Sequence, residues 1–367
     1  MKKIAIIGAS SGQLPICKKA KEMGLYTICF AWEDGAVCKD VVDEFFPISL
    51  VDKDEIVEVC KEEKVDGVVT NASDFTARIC AYVAEKLDLP TTSYERILNI
   101  QNKLFVREKT NKLVGLLSVQ CYAYVEGKHP DSYPCIVKPI VGASKKGVSF
   151  VADKDSFDSA IEYAKSAGNN DIIIEEYVVG REFSVECLSY KGKHHVIQIT
   201  DKESSGAPHF VELSHHQPTS LSTELTNKIK SVVPYILDAV GYTYGASHIE
   251  MKIDADGNLY LIEINPRGGG DHISSDLIYL STDYDYLKGV IDIALGQFKE
   301  PKIEQNMFSG IYYLCEQTAN RESYFTNDFP YPWMIEKKYD GRGFSKATGN
   351  YDRNGYLIYQ SDHKIEI

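Results

Sequence analysis

The sequence has no basic surplus, no long apolar run and no paired cysteines, and each absence excludes a class of protein. Its 40 basic and 53 acidic residues give a net charge of −13, which argues against non-specific nucleic-acid binding and requires a local basic pocket for an anionic substrate. No segment has the length and apolarity of a transmembrane helix, and the short apolar run Ile4–Ile7 predicts a first strand instead of a signal peptide. The 9 cysteines are scattered, without a C-x-x-C pair or zinc spacing, as in proteins of a reducing cytoplasm.

Signatures of several enzyme classes are also missing. There is no Walker loop and no Ser-His-Asp or Cys-His arrangement. The turn Gly8–Gly12 invites comparison with short-chain dehydrogenases, but Leu14 stands where a dinucleotide fingerprint has its third glycine. Tyr82 and Lys86 mimic the Tyr-x-x-x-Lys pair of those enzymes, yet they are more simply neighbours on a helix surface. An NAD(P) oxidoreductase is therefore disfavoured, with a phosphate-bearing cofactor on Gly8–Gly12 as an alternative.

The order of predicted elements indicates an α/β (α+β) fold. The chain has 367 residues, 44% of them hydrophobic, enough for two or three packed units. Residues 1–95 alternate strand and helix, which predicts a parallel sheet with helices on both faces. The pattern of predicted elements changes over residues 96–180, where short strands surround a glycine-rich loop. Residues 181–305 are predicted to be mostly strands. The predicted elements of the first part are the strands Lys3–Ile7, Tyr26–Ala31 and Gly67–Thr70 and the helices Gln13–Met23, Glu55–Glu63 and Phe75–Leu87.

The stretch His248–Arg267, HIEMKIDADGNLYLIEINPR, is the most informative for function. A hairpin with Asp256-Gly257 in a tight type I′ turn would place Glu250 opposite Glu263, with Asn265 on the same face. The opposite face is predicted to be buried, and it carries Ile249, Met251, Ile253, Tyr260, Ile262 and Ile264.

Two facing carboxylates repel each other by roughly 3 kcal/mol at about 5 Å and an effective dielectric near 20. A Mg²⁺ ion removes that repulsion, and it needs only a few protein oxygens in addition to substrate phosphates. Glu250, Glu263 and the amide oxygen of Asn265 are the predicted ligands. The alternative is an exposed polar face on which Lys252 lies between the two acids.

Two further stretches have the composition of a nucleotide site. Lys138 ends a strand and is followed by the glycine loop 142–147, whose backbone N–H groups suit phosphates. The strand Ile172–Glu176 turns acidic and leads into a hinge, which can offer backbone groups to an adenine edge and a carboxylate to ribose hydroxyls. The alternatives are an ordinary turn and an edge strand with a solvated end.

Glu212 and His215 lie three residues apart in a polar stretch before Pro218. Adjacent histidines in such a stretch are more often solvated than metal-bound, and no cysteine or third histidine stands at metal spacing. Zinc is therefore disfavoured.

In this order the motifs resemble the ATP-grasp superfamily of carboxylate–amine ligases over essentially the whole chain. The E-x-N-P-R motif at Glu263–Arg267 with an upstream glutamate is specific to that superfamily, while Glu212-x-x-His215 followed by Gly270 is similar to L-amino-acid ligases. The carbamoyl-phosphate-synthase-like and purine-biosynthesis-type branches are alternatives. The resemblance implies an ATP-grasp fold with a Rossmann-like N-terminal domain (1–95), a central lid domain (96–180), an antiparallel catalytic domain (181–305) and a small β-rich C-terminal segment (306–367) packed on it.

The resemblance also implies an activity. The expected enzyme is an ADP-forming ligase that activates a small carboxylate, expected to be an amino acid, as an acyl-phosphate and joins it to an amine. Its cofactors would be ATP and two Mg²⁺ ions, with Mn²⁺ as a substitute, and the family is consistent with a homodimer. A nucleotide-binding module without turnover is the alternative, which the intact acid pair, Asn265 and Arg267 argue against.

Site residues follow from the same resemblance. The expected metal ligands are Glu250, Glu263 and Asn265. Arg267 would stabilise the transferred phosphoryl group, Gly270 would lend a backbone donor, and Glu212 with His215 would orient substrate. The expected ATP contacts are Lys103, Lys138, Ser144, Glu175, Glu176, Val178 and Glu182.

Overall fold

The computed structural model describes residues 1–142, 145–167, 170–327, 331–344 and 346–367. Its first sheet is parallel, with strand order β3-β2-β1-β4. Side chains of one strand alternate between the faces, so Ile4 and Ile6 pack into one apolar layer and Ala5 and Ile7 into the other. The predicted parallel sheet is thereby confirmed. Its elements are β1 (Lys3–Ile7), α1 (Leu14–Glu22), β2 (Tyr26–Phe30), β3 (Glu44–Phe46), α2 (Lys53–Glu63), β4 (Gly67–Val69) and α3 (Asp74–Lys86).

The second sheet is antiparallel and has the order β5-β8-β6-β7. One helix covers a face of it and buries Val137, Val151 and Ile174. The other face is turned toward the third sheet, and the candidate site lies between them. The elements of this part are α4 (Tyr94–Ile100), α5 (Lys103–Thr110), β5 (Cys121–Ala123), β6 (Cys135–Pro139), β7 (Ser149–Val151), α6 (Phe157–Ser166) and β8 (Ile172–Glu176).

The third sheet has eight antiparallel strands in the order β13-β12-β9-β10-β11-β14-β16-β15. Three strands from the end of the chain join it through the pairing of β14 with β11. Within the described ranges, no helix has both the length and the apolarity needed to cross a membrane. The elements are β9 (Arg181–Tyr190), β10 (Lys193–Ser204), β11 (Glu212–Gln217), α7 (Thr223–Val240), β12 (Gly245–Ile253), β13 (Leu259–Asn265), α8 (Ile278–Thr282), α9 (Tyr286–Ala294), β14 (Phe308–Leu314), α10 (Glu322–Thr326), β15 (Met334–Tyr339) and β16 (Gly355–Ser361), with a π-helical turn at Ile273–Leu277 and 3₁₀ turns at Glu316–Arg321 and Asn350–Asp352.

A bulge interrupts the register of the hairpin β12–β13, and the predicted register holds only on the side of the bulge away from the turn. Glu250 opposes Glu263 as expected, but the register shifts after Glu250, so Met251 opposes Leu261. A one-residue shift exchanges the faces of a strand. The core therefore receives Leu259 and Leu261, and the prediction that Tyr260 and Ile262 are buried is wrong.

The turn of this hairpin also differs from the prediction. The backbone N–H of Gly257 donates to Asp254, and the carboxylate of Asp254 accepts from the N–H groups of Asp256 and Asn258. Among residues 254–258, which form the connection, only Gly257 has a positive φ, of 79°. The connection is thus a three-residue loop with a glycine bulge instead of a type I′ turn, because Asp254 supplies local hydrogen bonds that stabilise the wider loop.

Candidate functional site

Two cavities meet at Glu250 and Glu263, which line both of them. The smaller cavity, about 140 Å³, lies between the second sheet and the β12–β13 hairpin and has both lysines and apolar side chains in its wall. The larger cavity, about 750 Å³, is lined by polar and charged groups, including Arg267 and the C-terminal residues 348–353. The facing glutamates thus lie at the boundary between a narrow cleft and a roomy polar chamber.

Protein cations compensate the two facing carboxylates. Oε1 of Glu250 lies 2.9 Å from Nζ of Lys202 and 3.3 Å from Nε2 of His248. Oε1 of Glu263 lies 2.9 Å from Nζ of Lys103. The repulsion that was expected to require a metal ion is therefore already reduced by two lysines distant in sequence and by the nearby His248.

Lys202 is the centre of this charge cluster. Its buried ammonium is also 3.1 Å from Glu182 and 3.4 Å from Glu212. Burial alone would lower the pKa of Lys202, but the surrounding carboxylates raise it well above its usual range. Burial alone would raise the pKa of Glu250, but the charge of Lys202 outweighs this effect and holds the pKa of Glu250 well below its ordinary value. Both groups are charged at neutral pH.

The oxygens of Glu250, Glu263 and Asn265 fit a magnesium ion. The described residues contain no cluster of three or more His, Cys, Asp or Glu with metal-binding geometry, so the donor set is two carboxylates and one amide. Nδ2 of Asn265 donates to the carbonyl of His248 at 3.4 Å, and no hydrogen bond from a described residue occupies Oδ1, which is an acceptor. Such a half-shell suits Mg²⁺, which keeps water and phosphate ligands.

On the cleft side, Lys138 belongs to a buried ion-pair network. Nζ of Lys138 lies 2.7 Å from Oε2 of Glu175, and Nε of Arg107 lies 2.8 Å from Oε1. Arg107 also donates to the carbonyls of Leu261 and Ile262 at 2.7 and 2.8 Å. Burial would raise the pKa of Glu175, but the charges of Arg107 and Lys138 lower it to about 2. The carboxylate of Glu175 is thus committed to orienting Lys138 and joining the second sheet to β13.

The remaining predicted nucleotide residues line the same cleft. Lys103, Glu176, Val178 and Glu182 are all in its wall. Lys252, which the sequence argument considered only as a neighbour of the acids, donates to the carbonyl of Val178 at 3.1 Å and belongs to this wall. Ser144 lies outside the described residues.

On the chamber side, Glu212 and His215 each keep one polar atom without a partner. Oε1 of Glu212 binds Nζ of Lys145 at 2.7 Å, and Nε2 of His215 lies 3.5 Å from Oδ2 of Asp271. Oε2 of Glu212 and Nδ1 of His215 have no hydrogen-bond partner among the described residues, although the side chains are only 4% and 1% exposed. Buried polar atoms are almost always satisfied, so this pair in a cavity wall indicates a ligand with hydrogen-bond donors.

Arg267 connects the first sheet with the chamber. Its Nε lies 3.2 Å from Oδ1 of Asp74, at the start of α3, and its Nη1 donates to the carbonyl of Gly268 at 3.1 Å. A Cβ on Gly268 would lie 2.5 Å from Oδ1 of Asn71, so only glycine allows this close approach. Gly270 lines the chamber beside them.

Four of the nine described non-glycine residues with a positive φ line the chamber. Ala72, Lys145, Phe210 and Asp271 have φ between 50° and 59° and all line it. Backbone strain of this kind persists where surrounding structure enforces it, and it clusters at ligand sites. Sequence reasoning missed these positions because none is a glycine.

Known proteins resemble this chain in both sequence and fold. Residues 131–276 match the family model of the ATP-grasp domain. Formate-dependent phosphoribosylglycinamide formyltransferase of Bacteroides thetaiotaomicron is 28% identical over 288 residues, which is 73% of this chain and 71% of that protein. The uncharacterized protein y4rH of Sinorhizobium fredii is 25% identical over 252 residues, 65% of this chain, and the matched part spans 50% of that relative. The crystal structure of an L-amino acid ligase from Bacillus licheniformis superposes with a TM-score of 0.81 at 23% identity, covering 99% of this chain and 94% of that one.

Proposed function

Because this chain contains an ATP-grasp domain and has the ATP-grasp fold, we propose that it is an ATP- and Mg²⁺-dependent ligase. It activates a small carboxylate as an acyl-phosphate and joins it to an amine, with release of ADP and phosphate. One observation carries the proposal. Glu250 and Glu263 face each other where a lysine-containing cleft opens into a chamber with unsatisfied polar groups.

The reaction has two displacement steps. A carboxylate oxygen attacks the terminal phosphorus of ATP and the bond to ADP breaks. The amine nitrogen then attacks the acyl carbon, phosphate leaves and the amine gives up a proton. Such chemistry needs positioning and charge neutralisation, and no nucleophilic side chain.

The cleft residues hold the nucleotide in this proposal. Lys103 and Lys138 bind its phosphates, and Glu175 keeps the Lys138 ammonium oriented through the 2.7 Å contact. The segment Glu176–Val178 offers backbone groups to the adenine edge. Glu182, which lines the cleft, binds the ribose hydroxyls. A phosphate contact by Ser144 in the 142–147 loop stays an expectation.

Glu250, Glu263 and Asn265 hold magnesium. The bound metal supplies charge neutralisation of the transferring phosphoryl group. Lys202 and Lys103 serve the same residues by compensating the charge of both carboxylates and orienting them.

The chamber residues bind the carboxylate and the amine. Arg267, held by Asp74, stabilises the charge of the transferred phosphoryl group, and Gly270 offers a backbone donor beside it. The partnerless Oε2 of Glu212 accepts a hydrogen bond from an amino group, since an ionised carboxylate is only an acceptor. His215, fixed by Asp271, orients the same group.

A screen of ADP release tests the proposal. The purified chain is incubated with ATP and Mg²⁺ and with amino acids and small carboxylates, singly and in pairs. We expect ADP formation that requires a carboxylate and a coupled product that requires an amine. Glu263→Gln should abolish turnover while unfolding stays cooperative, and Asp256→Asn, an exposed change at the tip of the same hairpin, should not affect it. ATP binding without ADP release under every pairing would instead indicate a nucleotide-binding module, and full turnover in Glu263→Gln would exclude the metal assignment.

A further inference from the structure

A buried carboxylate–histidine pair lies behind the candidate metal site. Glu186 is completely buried and its Oε1 is hydrogen-bonded to Nδ1 of His248. Nε2 of His248 lies 3.3 Å from Oε1 of Glu250. The second oxygen of Glu186 accepts a hydrogen bond of 3.0 Å from the backbone N–H of Gly269. One continuous chain of contacts therefore runs from a predicted metal ligand to the glycine segment that follows Arg267.

The position of this pair is set by the rigid part of the fold. Glu186 is on β9 and His248 on the neighbouring strand β12, directly opposite each other in the eight-stranded sheet. Because both partners of the imidazole are carboxylates, each ring nitrogen donates a hydrogen bond. The ring orientation is thus fixed from both sides.

The contacts to Glu250 hold one oxygen and spare the other. His248 and Lys202 both bind Oε1, and no described residue forms a hydrogen bond with Oε2. The carboxylate is therefore held from the protein side while one oxygen remains available to a cation.

Gly269 is packed directly against the pair. A Cβ at this position would lie 2.8 Å from Oε1 of Glu186 and 2.8 Å from Nδ1 of His248. Real Cβ atoms do not approach other atoms so closely, so a larger residue would displace either the pair or the glycine segment.

We propose that Glu186 and His248 are positioning residues that hold Glu250 and the Arg267–Gly270 segment in a fixed relation. The pair thereby aligns the metal-binding carboxylate with the residues that receive the phosphoryl group. This role rests on the proposed function of the site, but metal binding can be measured without turnover.

Two substitutions of His248 separate this role from a purely structural one. The amide nitrogen of His248→Asn occupies the place of Nδ1 and keeps the contact to Glu186, whereas that of His248→Gln reaches the place of Nε2 and keeps the contact to Glu250. The measurement is the affinity for Mn²⁺ in the presence of a non-hydrolysable ATP analogue, by electron paramagnetic resonance, with thermal unfolding in parallel.

We expect His248→Asn to weaken Mn²⁺ binding about 10- to 100-fold, as for other groups that orient metal ligands, while it unfolds near the wild-type temperature. His248→Gln keeps the contact to Glu250 but loses the hold of Glu186, so it should melt lower and lose clearly less Mn²⁺ affinity than His248→Asn. If the pair were purely structural, Mn²⁺ affinity would follow stability, so His248→Gln would lose more affinity than His248→Asn. Equal, wild-type Mn²⁺ affinity in both variants would overturn the proposal.

Gly269→Ala provides a second test if a histidine variant does not fold. Its added methyl group would press directly on the pair and displace it from Glu250, so Mn²⁺ affinity should fall, whereas Gly343→Ala, whose Cβ meets nothing within 4 Å, should leave it unchanged. Unchanged affinity in folded Gly269→Ala would contradict the proposal. A wild-type chain that binds Mn²⁺ and nucleotide without making ADP would overturn the ligase function and leave this inference standing.

Discussion

Arg353 holds the carboxylate of Asp271 through hydrogen bonds of 2.7 and 3.0 Å, although the two residues are 82 positions apart. The guanidinium also lies 3.6 Å from the centre of the Tyr313 ring. Asp271 directly follows Gly270 and contacts His215. The end of the chain thus closes one wall of the chamber and fixes the residue next to the glycine segment.

Replacing Arg353 by Ala should affect stability and substrate binding together. The change leaves the half-buried carboxylate of Asp271 without its main partner, which costs about 2 kcal/mol of unfolding free energy, as for a lost hydrogen bond to a charged group. It should also raise KM for the chamber substrate more than KM for ATP. Denaturant unfolding and initial rates measure both effects. Arg342→Ala, which breaks an exposed pair with Asp340, should change stability by less than about 1 kcal/mol, and an Arg353→Ala protein as stable as this control would contradict the prediction.

Replacing Lys202 by Met should make stability depend on divalent cations. The buried ammonium compensates Glu182, Glu212 and Glu250, so its loss leaves these carboxylates with less compensating charge and lowers the unfolding temperature. A cation binding the same acids then stabilises the folded state by mass action. We expect MgCl₂ to raise the melting temperature of Lys202→Met more than that of wild type. Lys193→Met, an exposed change on the same strand, is the control, and equal magnesium shifts in all three proteins would disprove the effect.

The Glu175 network should lose its contribution in acid. Burial raises the pKa of Glu175, but Arg107 and Lys138 lower it to about 2 from an ordinary value of 4.5. A depressed folded-state pKa stabilises the protein above pH 4.5, and this stabilisation is lost as pH falls toward 2. The stability difference between wild type and Glu175→Gln should therefore shrink by about 3 kcal/mol between pH 5 and pH 2. Urea unfolding over this range measures it, with the surface change Glu58→Gln as the control. If this stability difference did not vary with pH, the ion pairs of Glu175 with Arg107 and Lys138 would not be the source of the stabilisation.

Arg267→Ala should lose turnover more than nucleotide affinity. Its guanidinium lies in the chamber wall and not among the cleft residues, so we expect ATP to bind within a few-fold of wild type. Removing one group that stabilises developing charge typically reduces kcat by about 10²- to 10³-fold. Nucleotide titration and steady-state kinetics separate the two quantities. A large loss of ATP affinity with a normal maximal rate would contradict the role.

Several parts of the fold could be predicted from local pattern. The strand predicted at Lys3–Ile7 has those bounds, and the helix predicted at Phe75–Leu87 runs from Asp74 to Lys86. Periodicity and capping are short-range signals, so they survive without tertiary information. The sequence predicts the C-terminal strands only as a β-rich segment packed on the catalytic domain, because the pairing of β14 with β11 joins residues far apart in sequence.

The candidate site was predicted as a set of motifs and not as a set of contacts. The opposition of Glu250 and Glu263 followed from the hairpin, whereas the bulge between Glu250 and Met251 left no sequence signal and exchanged the faces of Tyr260 and Ile262. Glu175, expected at the adenine edge, lines the cleft, and the pairing of its carboxylate with Arg107 and Lys138 had no signal in the sequence.

The sequence by itself determined the order of strands and helices, the facing acid pair and the motifs that resemble ATP-grasp ligases, because these depend on neighbours along the chain. Only the tertiary structure decided which charges compensate each other. Lys202 beside Glu250 and Arg353 on Asp271 join residues 48 and 82 positions apart. An ion pair between distant elements leaves no periodicity in the sequence, and its partners are set by how the sheets pack.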